Sequence, residues 1–360
     1  MPSSLRAALV LPSFFQSDID FMGGGDRYVH KLSQALGPYC DATFFTFGPT
    51  YREELFAGVR HVVLPGRPGA NPDNPVPYSL AFASSRFDVV HCFHLRTVVT
   101  NIATVLRRAA RRPLVVTDLG GGGRSATFRL RLYRLIPGYI CISDYSRRLL
   151  PASARTRAVV IKGGIDQDRF AYDDRPRERQ VLQVSRLMPH KGQNYLIEAA
   201  GQDLAVVIAG KVVNRAYYED LLKMAAGKPV RFLIDVDDAT ILDAYRRSAV
   251  TVQASVYRDM YGNHSPTSEL LGLPLLESMS VGTPVVCTNV GGMPEFVRDG
   301  VTGFVVPPND PAALRRRLDE ILGDPQRASR MGHAGHEDMA QYSWDSVARR
   351  VSAEYARLIA

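Results

Sequence analysis

The sequence predicts an α/β protein made of two successive doubly wound units and a C-terminal helix. Two observations point to this class. Apolar runs of strand length alternate with amphipathic stretches along nearly the whole chain. The opening order of strand, glycine-rich turn and helix also restarts near residue 181. A length of 360 residues fits two hydrophobic cores better than one.

Leu5–Pro12 is the first apolar run. Gly23, Gly24 and Gly25 follow, then an amphipathic stretch from Asp26 to Leu36 with Tyr28, Val29, Leu32, Ala35 and Leu36 as its apolar positions. Three consecutive glycines allow a backbone to approach a ligand closely. Their spacing is not G-x-G-x-x-G, and no acidic residue ends the second strand where a dinucleotide ribose needs one, which argues against a nicotinamide-dependent oxidoreductase. Ala42–Phe47 and His61–Leu64 read as strands, and the five prolines and two glycines of 65–77 as a surface loop. Phe87–Phe93 is a buried strand with His91 and His94 at its C-terminal end, where open α/β sheets bind ligands. No carboxylate or third histidine stands ready to complete a metal site, so packing or acceptor contacts are expected of this pair.

Leu114–Thr117 leads into Asp118 and Gly120–Gly123, a second loop suited to close approach. Residues 124–134 interleave four arginines, the first of them Arg124, with Phe128, Leu130, Leu132 and Tyr133. This is either a basic patch for an anionic acceptor or membrane surface, or a solvated face whose arginine stems cover apolar atoms. Tyr139–Ile142 and Val159–Ile161 are short strands, and a turn at Gly163–Gly164 and Asp166 closes the unit.

Residues 171–180 are polar without an apolar period and are expected to form the linker. Strands are then predicted at 181–184, 205–209, 230–234, 250–254, 283–288 and 303–306, with helices at 217–226, 239–248 and 312–322 and one that opens at His190–Lys191–Gly192 and runs to Ala200. Asp310–Pro311 is a cap and first-turn pair for the last of these. The stretch 344–359 carries a helical apolar stripe.

The most informative stretch is 269–277, ELLGLPLLE. Proline is favoured in the first turn of a helix, so Gly272–Leu273–Pro274 is expected to run from a loop into a short helix, Pro274 to Val281, closed by Gly282. Glu269 then lies in the loop and Glu277 one turn inside the helix, with free N–H groups between them for an anionic ligand. Arg186 and Lys191 flank the first strand–helix junction of the same unit and suit a diphosphate, one as a forked donor and the other as a point charge.

These residues together resemble the retaining nucleotide-sugar glycosyltransferases of family 4, which have the two-Rossmann GT-B architecture. The resemblance is densest in VLQVSRLMPHKGQNYLIEA, the E-x7-E stretch and VGTPVVCTNVGGMPEFVRDGVTGFVVPPND, and weaker in GGGDRYVHKL, FDVVHCFH and ICISDYSRRLL. It implies two Rossmann-like domains facing a cleft. The acceptor domain would be 1–170, the donor domain 171–340, and 341–360 a helix returning to the first domain. It implies that Arg186 and Lys191 bind the donor diphosphate, Glu269 the sugar hydroxyls and Glu277 the ribose. Gly272, Leu273 and Pro274 would meet sugar and phosphates, and Gly24–Gly25 would close over the phosphates. Many relatives carry a histidine after the strand matching 114–117; here Asp118 stands there, either taking over part of that role or leaving it unfilled. His91, His94 and Arg124 belong to the acceptor side. The loop 255–268 is longer than usual.

The expected activity is retaining, metal-independent hexosyl transfer from a UDP-, GDP-, ADP- or dTDP-sugar to a hydroxyl on a glycan, glycolipid or natural product, with no cofactor. Asp235-Val236-Asp237 matches a metal-chelating D-x-D only formally and is expected to act as a helix cap and base-side contact. A nucleotide-sugar epimerase or hydrolase on the same frame is the rival reading. A basic nucleic-acid binder is less favoured, since no aromatic single-strand platform is evident. The charge is asymmetric: 22 Lys and Arg against 12 Asp and Glu in 1–170, and 22 against 24 in 171–360. An anionic partner for the first half follows, with peripheral contact to the inner face of a membrane among the expectations. Neither an apolar run of about 18 residues nor a signal-peptide pattern is found. The four cysteines, none in a C-x-x-C pair, are expected to be reduced in a cytoplasmic protein.

Overall fold

A computed structural model describes residues 5–16, 24–69, 74–121, 126–267 and 269–360. Gly23, Gly122, Gly123 and Arg124 therefore lie outside the described residues. The chain divides into two compact units, one of residues 1–164 with 344–360 and one of residues 165–343.

The first unit runs β1 (Arg6–Phe14), α1 (Gly24–Ala35), β2 (Asp41–Gly48), β3 (Arg52–Phe56), β4 (Val59–Arg67), β5 (Val76–Pro77), β6 (Val89–Phe93), α2 (Val98–Ala109), β7 (Leu114–Thr117), α3 (Ala126–Arg129), β8 (Gly138–Cys141), α4 (Asp144–Leu149), α5 (Ala152–Arg155) and β9 (Ala158–Val160). Its sheet is ordered β3-β4-β2-β1-β6-β7-β8-β9, with β5 on β4. All pairs are parallel except β3 and β5 against β4. In β1 the residues Ala7 to Leu11 are fully enclosed, which explains a continuous apolar run rather than an alternating one.

The second unit runs β10 (Glu178–Val184), α6 (Gln193–Ala200), β11 (Ala205–Gly210), α7 (Arg215–Ala225), β12 (Val230–Ile234), α8 (Asp238–Arg247), β13 (Ser248–Gln253), α9 (Leu273–Ser280), β14 (Val285–Thr288), β15 (Gly303–Val306), α10 (Pro311–Gly323) and α11 (Pro325–Met339). The order β12-β11-β10-β13-β14-β15 is wholly parallel. Numbered from its own first strand, that is the 3-2-1-4-5-6 order of a dinucleotide-type fold. The strand order reverses between β10 and β13, so ligands are expected just beyond the carboxyl ends of those two strands.

The last helix, α12 (Trp344–Ile359), belongs to the first unit. Trp344 meets Tyr28 of α1 edge-on at 5.0 Å between centroids. The Tyr355 hydroxyl reaches His91 Nδ1 at 2.8 Å, and Tyr39 donates to Asp345 at 2.7 Å.

Several expectations need correction. The expected linker 171–180 already contains the start of the next sheet, since Glu178, Arg179 and Gln180 open β10. Arg52–Phe56, not anticipated, is an edge strand with mainly exposed residues. Part of the expected 65–77 loop continues β4 to Arg67 and pairs with β5. Gly24 and Gly25 form the first turn of α1 rather than a loop before it. Two longer helices, α2 and α11, were missed, as were the short α4 and α5. α2 is rich in Val and Thr, which disfavour helix locally. It forms because Thr97 caps it, accepting from the Thr100 amide at 3.2 Å. The buried Arg107 guanidinium also binds the carbonyls of Ser84, Phe87, Asp88 and Pro113. α11 contains Gly332, where a Cβ would lie 2.0 Å from the Gly282 carbonyl oxygen. Its glycine costs helix propensity but admits close packing.

Candidate functional site

In the second unit, the sequence-predicted donor residues gather at the β10/β13 switch point. β10 ends at Val184, and the chain passes Arg186 into a short 3-10 turn, Pro189–Lys191. Gly192 follows with φ +69°, and a Cβ there would lie 1.9 Å from the Ala254 carbonyl oxygen. Only glycine lets the turn pack so closely on the end of β13. Gln183, 0% exposed, holds the turn by donating to the Lys191 carbonyl at 2.8 Å.

Lys191 and Glu269 meet directly, with Nζ 2.5 Å from Oε1 and side chains 12% and 11% exposed. Ser255, the second residue beyond β13, donates to the same Oε1 at 2.9 Å. The Thr288 hydroxyl at the end of β14 donates to the Ser255 carbonyl at 2.5 Å. Three strand ends therefore fix one carboxylate. Arg186 is exposed and has no side-chain hydrogen bond or ion pair among the described residues, so its guanidinium is available to a ligand. His190 feels this field: burial, Lys191 and Arg186 lower its pKa to about 4, with Glu269 opposing them.

Gly272 caps α9 with φ +95°, and the helix spans Leu273–Ser280 with Gly282 following at φ +81°. The helix start has fewer free donors than the sequence suggests. Pro274 has no N–H, and the Leu275 amide is committed to the Gly272 carbonyl at 2.9 Å. Glu277 lies within α9, and Tyr245 of α8 donates to its Oε2 at 2.8 Å. Tyr245 is fully enclosed, and burial together with Glu277 pushes its hydroxyl pKa well up, so it stays a donor. Sequence reasoning did not single out Tyr245 or Ser255; neither carries a motif signal. Asp237 caps α8 by accepting from the Thr240 amide at 2.8 Å, which accounts for the formal D-x-D. Among the described residues no three His, Cys, Asp or Glu side chains are grouped as a metal site would need. All four cysteines are free and buried.

In the first unit, the residues named beforehand separate. His91 has 0% exposure, and both ring nitrogens are used, by Tyr355 and by Thr117 at 2.8 Å each. Burial lowers its pKa to about 3. His91 ties α12 to β6 and β7 and offers no atom to an acceptor. His94 is different. It follows β6 with φ +66°, and the Gly121 amide donates to its Nδ1 at 2.9 Å. A neutral ring so engaged carries its proton on Nε2. A Cβ on Gly121 would come within 2.4 Å of that ring, so the glycine loop is shaped around it. Asp118 accepts weakly from the Leu95 and Gly120 amides, at 3.4 and 3.2 Å. A Cβ on Gly25 would lie 3.7 Å from the Leu119 Cβ. Gly25, Asp118, Gly120–Gly121 and His94 thus form one neighbourhood at the carboxyl ends of β1, β6 and β7. No helix is long and apolar enough to cross a membrane among the described residues.

Comparison with known proteins agrees with this geometry. The model for glycosyl transferases group 1 matches residues 164–338, and that for glycosyltransferase family 4 matches residues 22–169. A phosphatidyl-myo-inositol mannosyltransferase of Mycolicibacterium smegmatis is 30% identical over 295 residues, covering 76% of this chain and 72% of that protein. A D-inositol 3-phosphate glycosyltransferase of Streptomyces avermitilis is 29% identical over 228 residues, 56% of this chain and 47% of that protein. The crystal structure of Anabaena HepE in complex with UDP-glucose superposes with a TM-score of 0.73 at 19% identity, covering 98% of this chain and 100% of that one. That likeness extends over both units and shows the GT-B fold. The chain belongs to the group 1 glycosyltransferases of glycosyltransferase family 4.

Proposed function

We propose that the protein transfers a hexose-type sugar from a nucleoside diphosphate to an acceptor hydroxyl, keeping the anomeric configuration and using no metal. The observation that carries this reading is the contact between Lys191 and Glu269, near an exposed Arg186 that has no side-chain partner among the described residues, at the switch point of a doubly wound sheet. A carboxylate held for sugar hydroxyls and two cations suited to a diphosphate are the parts a sugar nucleotide requires. The bond from the anomeric carbon to the diphosphate breaks, and the diphosphate leaves with the electron pair. The acceptor oxygen bonds to that carbon on the same face, and its proton passes to the leaving phosphate. Arg186 and Lys191 oppose the charge growing on the diphosphate, a contribution worth roughly 10²–10³ in turnover for one such donor. Glu277, oriented by Tyr245, takes the ribose hydroxyls, and the backbone at Gly272, Leu273 and Pro274 borders the sugar and phosphates.

The acceptor side is proposed for Asp118 and for the His94 imidazole with its Nε2 proton. Gly24–Gly25 are proposed to lie against the phosphates. The inositol-containing names of the phosphatidyl-myo-inositol mannosyltransferase and the D-inositol 3-phosphate glycosyltransferase favour a cyclic polyol bearing a phosphate or lipid as the acceptor class. The UDP-glucose complex of HepE favours a uridine nucleotide among the four candidate bases. Exposed Phe128 and Leu130 beside Arg129, Arg131 and Arg134 support a peripheral contact with an anionic membrane. The test is release of nucleoside diphosphate from each sugar nucleotide, with and without a polyol acceptor, before and after EDTA. The reading requires acceptor-dependent release that survives EDTA. Release without acceptor indicates a hydrolase, and activity lost to EDTA and restored by Mg²⁺ or Mn²⁺ removes the metal-independent mechanism.

A further inference from the structure

Within the segment between β13 and Glu269, which the sequence marks as unusually long, residues 257–265 form a self-braced hairpin. The Ser265 amide donates to the Tyr257 carbonyl at 2.7 Å, and Arg258 pairs with His264 in an antiparallel bridge. At the tip, Asp259 accepts from the amides of Tyr261 and Asn263 at 2.9 and 3.0 Å. Outside contacts fix the hairpin to the same unit. Tyr261 donates to Asp220 of α7 at 2.6 Å, and Asn309 donates to the Arg258 carbonyl at 3.0 Å.

The base of this hairpin surrounds Glu269. Ser255, near the start of that segment, holds the Glu269 carboxylate. Tyr257 reaches away from the hairpin, and its hydroxyl accepts from the Gly291 amide at 2.8 Å. Gly291 has φ +63°, and a Cβ there would lie 1.7 Å from the Glu269 carbonyl oxygen. The next amide, of Gly292, donates to that same carbonyl at 3.2 Å. The Gly291–Gly292 turn is therefore packed against the backbone of Glu269, and Tyr257 anchors the turn.

We infer that Tyr257 is a positioning residue of the donor site: through the Gly291–Gly292 turn it sets the backbone from which Glu269 reaches the transferred sugar. The inference rests on the donor-site reading above. It separates two parts of the ligand. The sugar depends on the placement of Glu269, whereas the diphosphate depends on the charges of Arg186 and Lys191, which Tyr257→Phe leaves intact. Loss of the Tyr257 hydroxyl therefore weakens the sugar contribution and spares the diphosphate contribution.

The experiment compares equilibrium dissociation constants for the free nucleoside diphosphate and for its sugar nucleotide, in the wild type, Tyr257→Phe and Tyr261→Phe. Tyr261→Phe frees the hairpin tip from Asp220 and leaves the Tyr257–Gly291 contact in place, so it reports general loosening. The expected result is that Tyr257→Phe weakens the sugar nucleotide by roughly 2- to 10-fold, the range of one hydrogen bond, with the diphosphate unchanged. Tyr261→Phe is expected to lower thermal stability and keep the ratio of the two constants. An unchanged ratio in Tyr257→Phe, or the same change in both variants, overturns the inference while the donor site stands. A wild type that binds the diphosphate and sugar nucleotide equally, or neither, overturns it together with the role given to Glu269.

Discussion

Replacing Glu269 with glutamine changes almost no volume and removes one charge. It leaves the Lys191 ammonium without its carboxylate, in a place where both side chains are only about one-tenth exposed. Breaking a buried ion pair from one side costs roughly 3–5 kcal/mol, because the remaining charge stays desolvated. The residual exposure places Glu269→Gln at the lower end, about 3 kcal/mol. For a unit of this size each kcal/mol moves the melting temperature by about 2–4 °C, so a loss of about 6–12 °C is expected. A diphosphate supplies the negative charge that the variant lacks, so it stabilises Glu269→Gln by more degrees than the wild type. Turnover falls nonetheless, since the sugar has lost its carboxylate. The assay is differential scanning fluorimetry of both proteins with and without the nucleoside diphosphate that binds best, followed by turnover. A variant as stable as the wild type, or one stabilised less by the diphosphate, refutes the electrostatic account of the pair.

Two further outcomes are expected. Tyr245→Phe removes the hydroxyl that donates to Glu277; a hydrogen bond to a charged group contributes about 1.5–3 kcal/mol. The variant should lose stability and bind the nucleoside portion more weakly, and calorimetric titration with the nucleoside monophosphate checks this. Acid sensitivity should come partly from buried imidazoles. Burial lowers the pKa of His30 and of His190 to about 4, and that of His91 to about 3, from 6.5. The unfolded chain binds these protons first, so stability is full above about pH 6.5 and falls as pH drops toward 4, by up to about 1.4 kcal/mol per pH unit for each group. His30 sits 4.8 Å from the Phe56 ring centroid and 6.1 Å from that of Phe44. His30→Phe should therefore flatten the acid limb in chemical denaturation; a limb of unaltered slope contradicts the assignment.

The placement of the residues proposed for the donor was legible in the sequence because they are bound to local grammar. Glycine and proline at 272 and 274 announce a helix start, and Glu269, Glu277, Arg186 and Lys191 stand at fixed offsets from strand ends. The regular strands of the second unit were equally plain, since β-branched runs between glycines leave few alternatives. What escaped was decided by tertiary contact. α2 contradicts its own propensities, and α11 contains glycines that only its packing against α9 and Gly282 explains. His91 and His94 are three residues apart and look alike in sequence. One is sealed between β6, β7 and α12, and the other sits at a left-handed backbone position within a glycine loop. Tyr245, Ser255 and Tyr257 act through contacts 32, 14 and 34 residues away along the chain, and no spacing rule announces such partners.

The central claim is that Lys191, Glu269 and Arg186 hold the diphosphate sugar donor. The measurement that tests it most directly is equilibrium binding of UDP-, GDP-, ADP- and dTDP-sugars to the wild type and to Lys191→Met. The account predicts that one of the four binds the wild type, and that Lys191→Met binds it about 10- to 100-fold more weakly, the effect of losing a charged hydrogen-bonding partner. Binding of none of them, or undiminished binding by Lys191→Met, contradicts it.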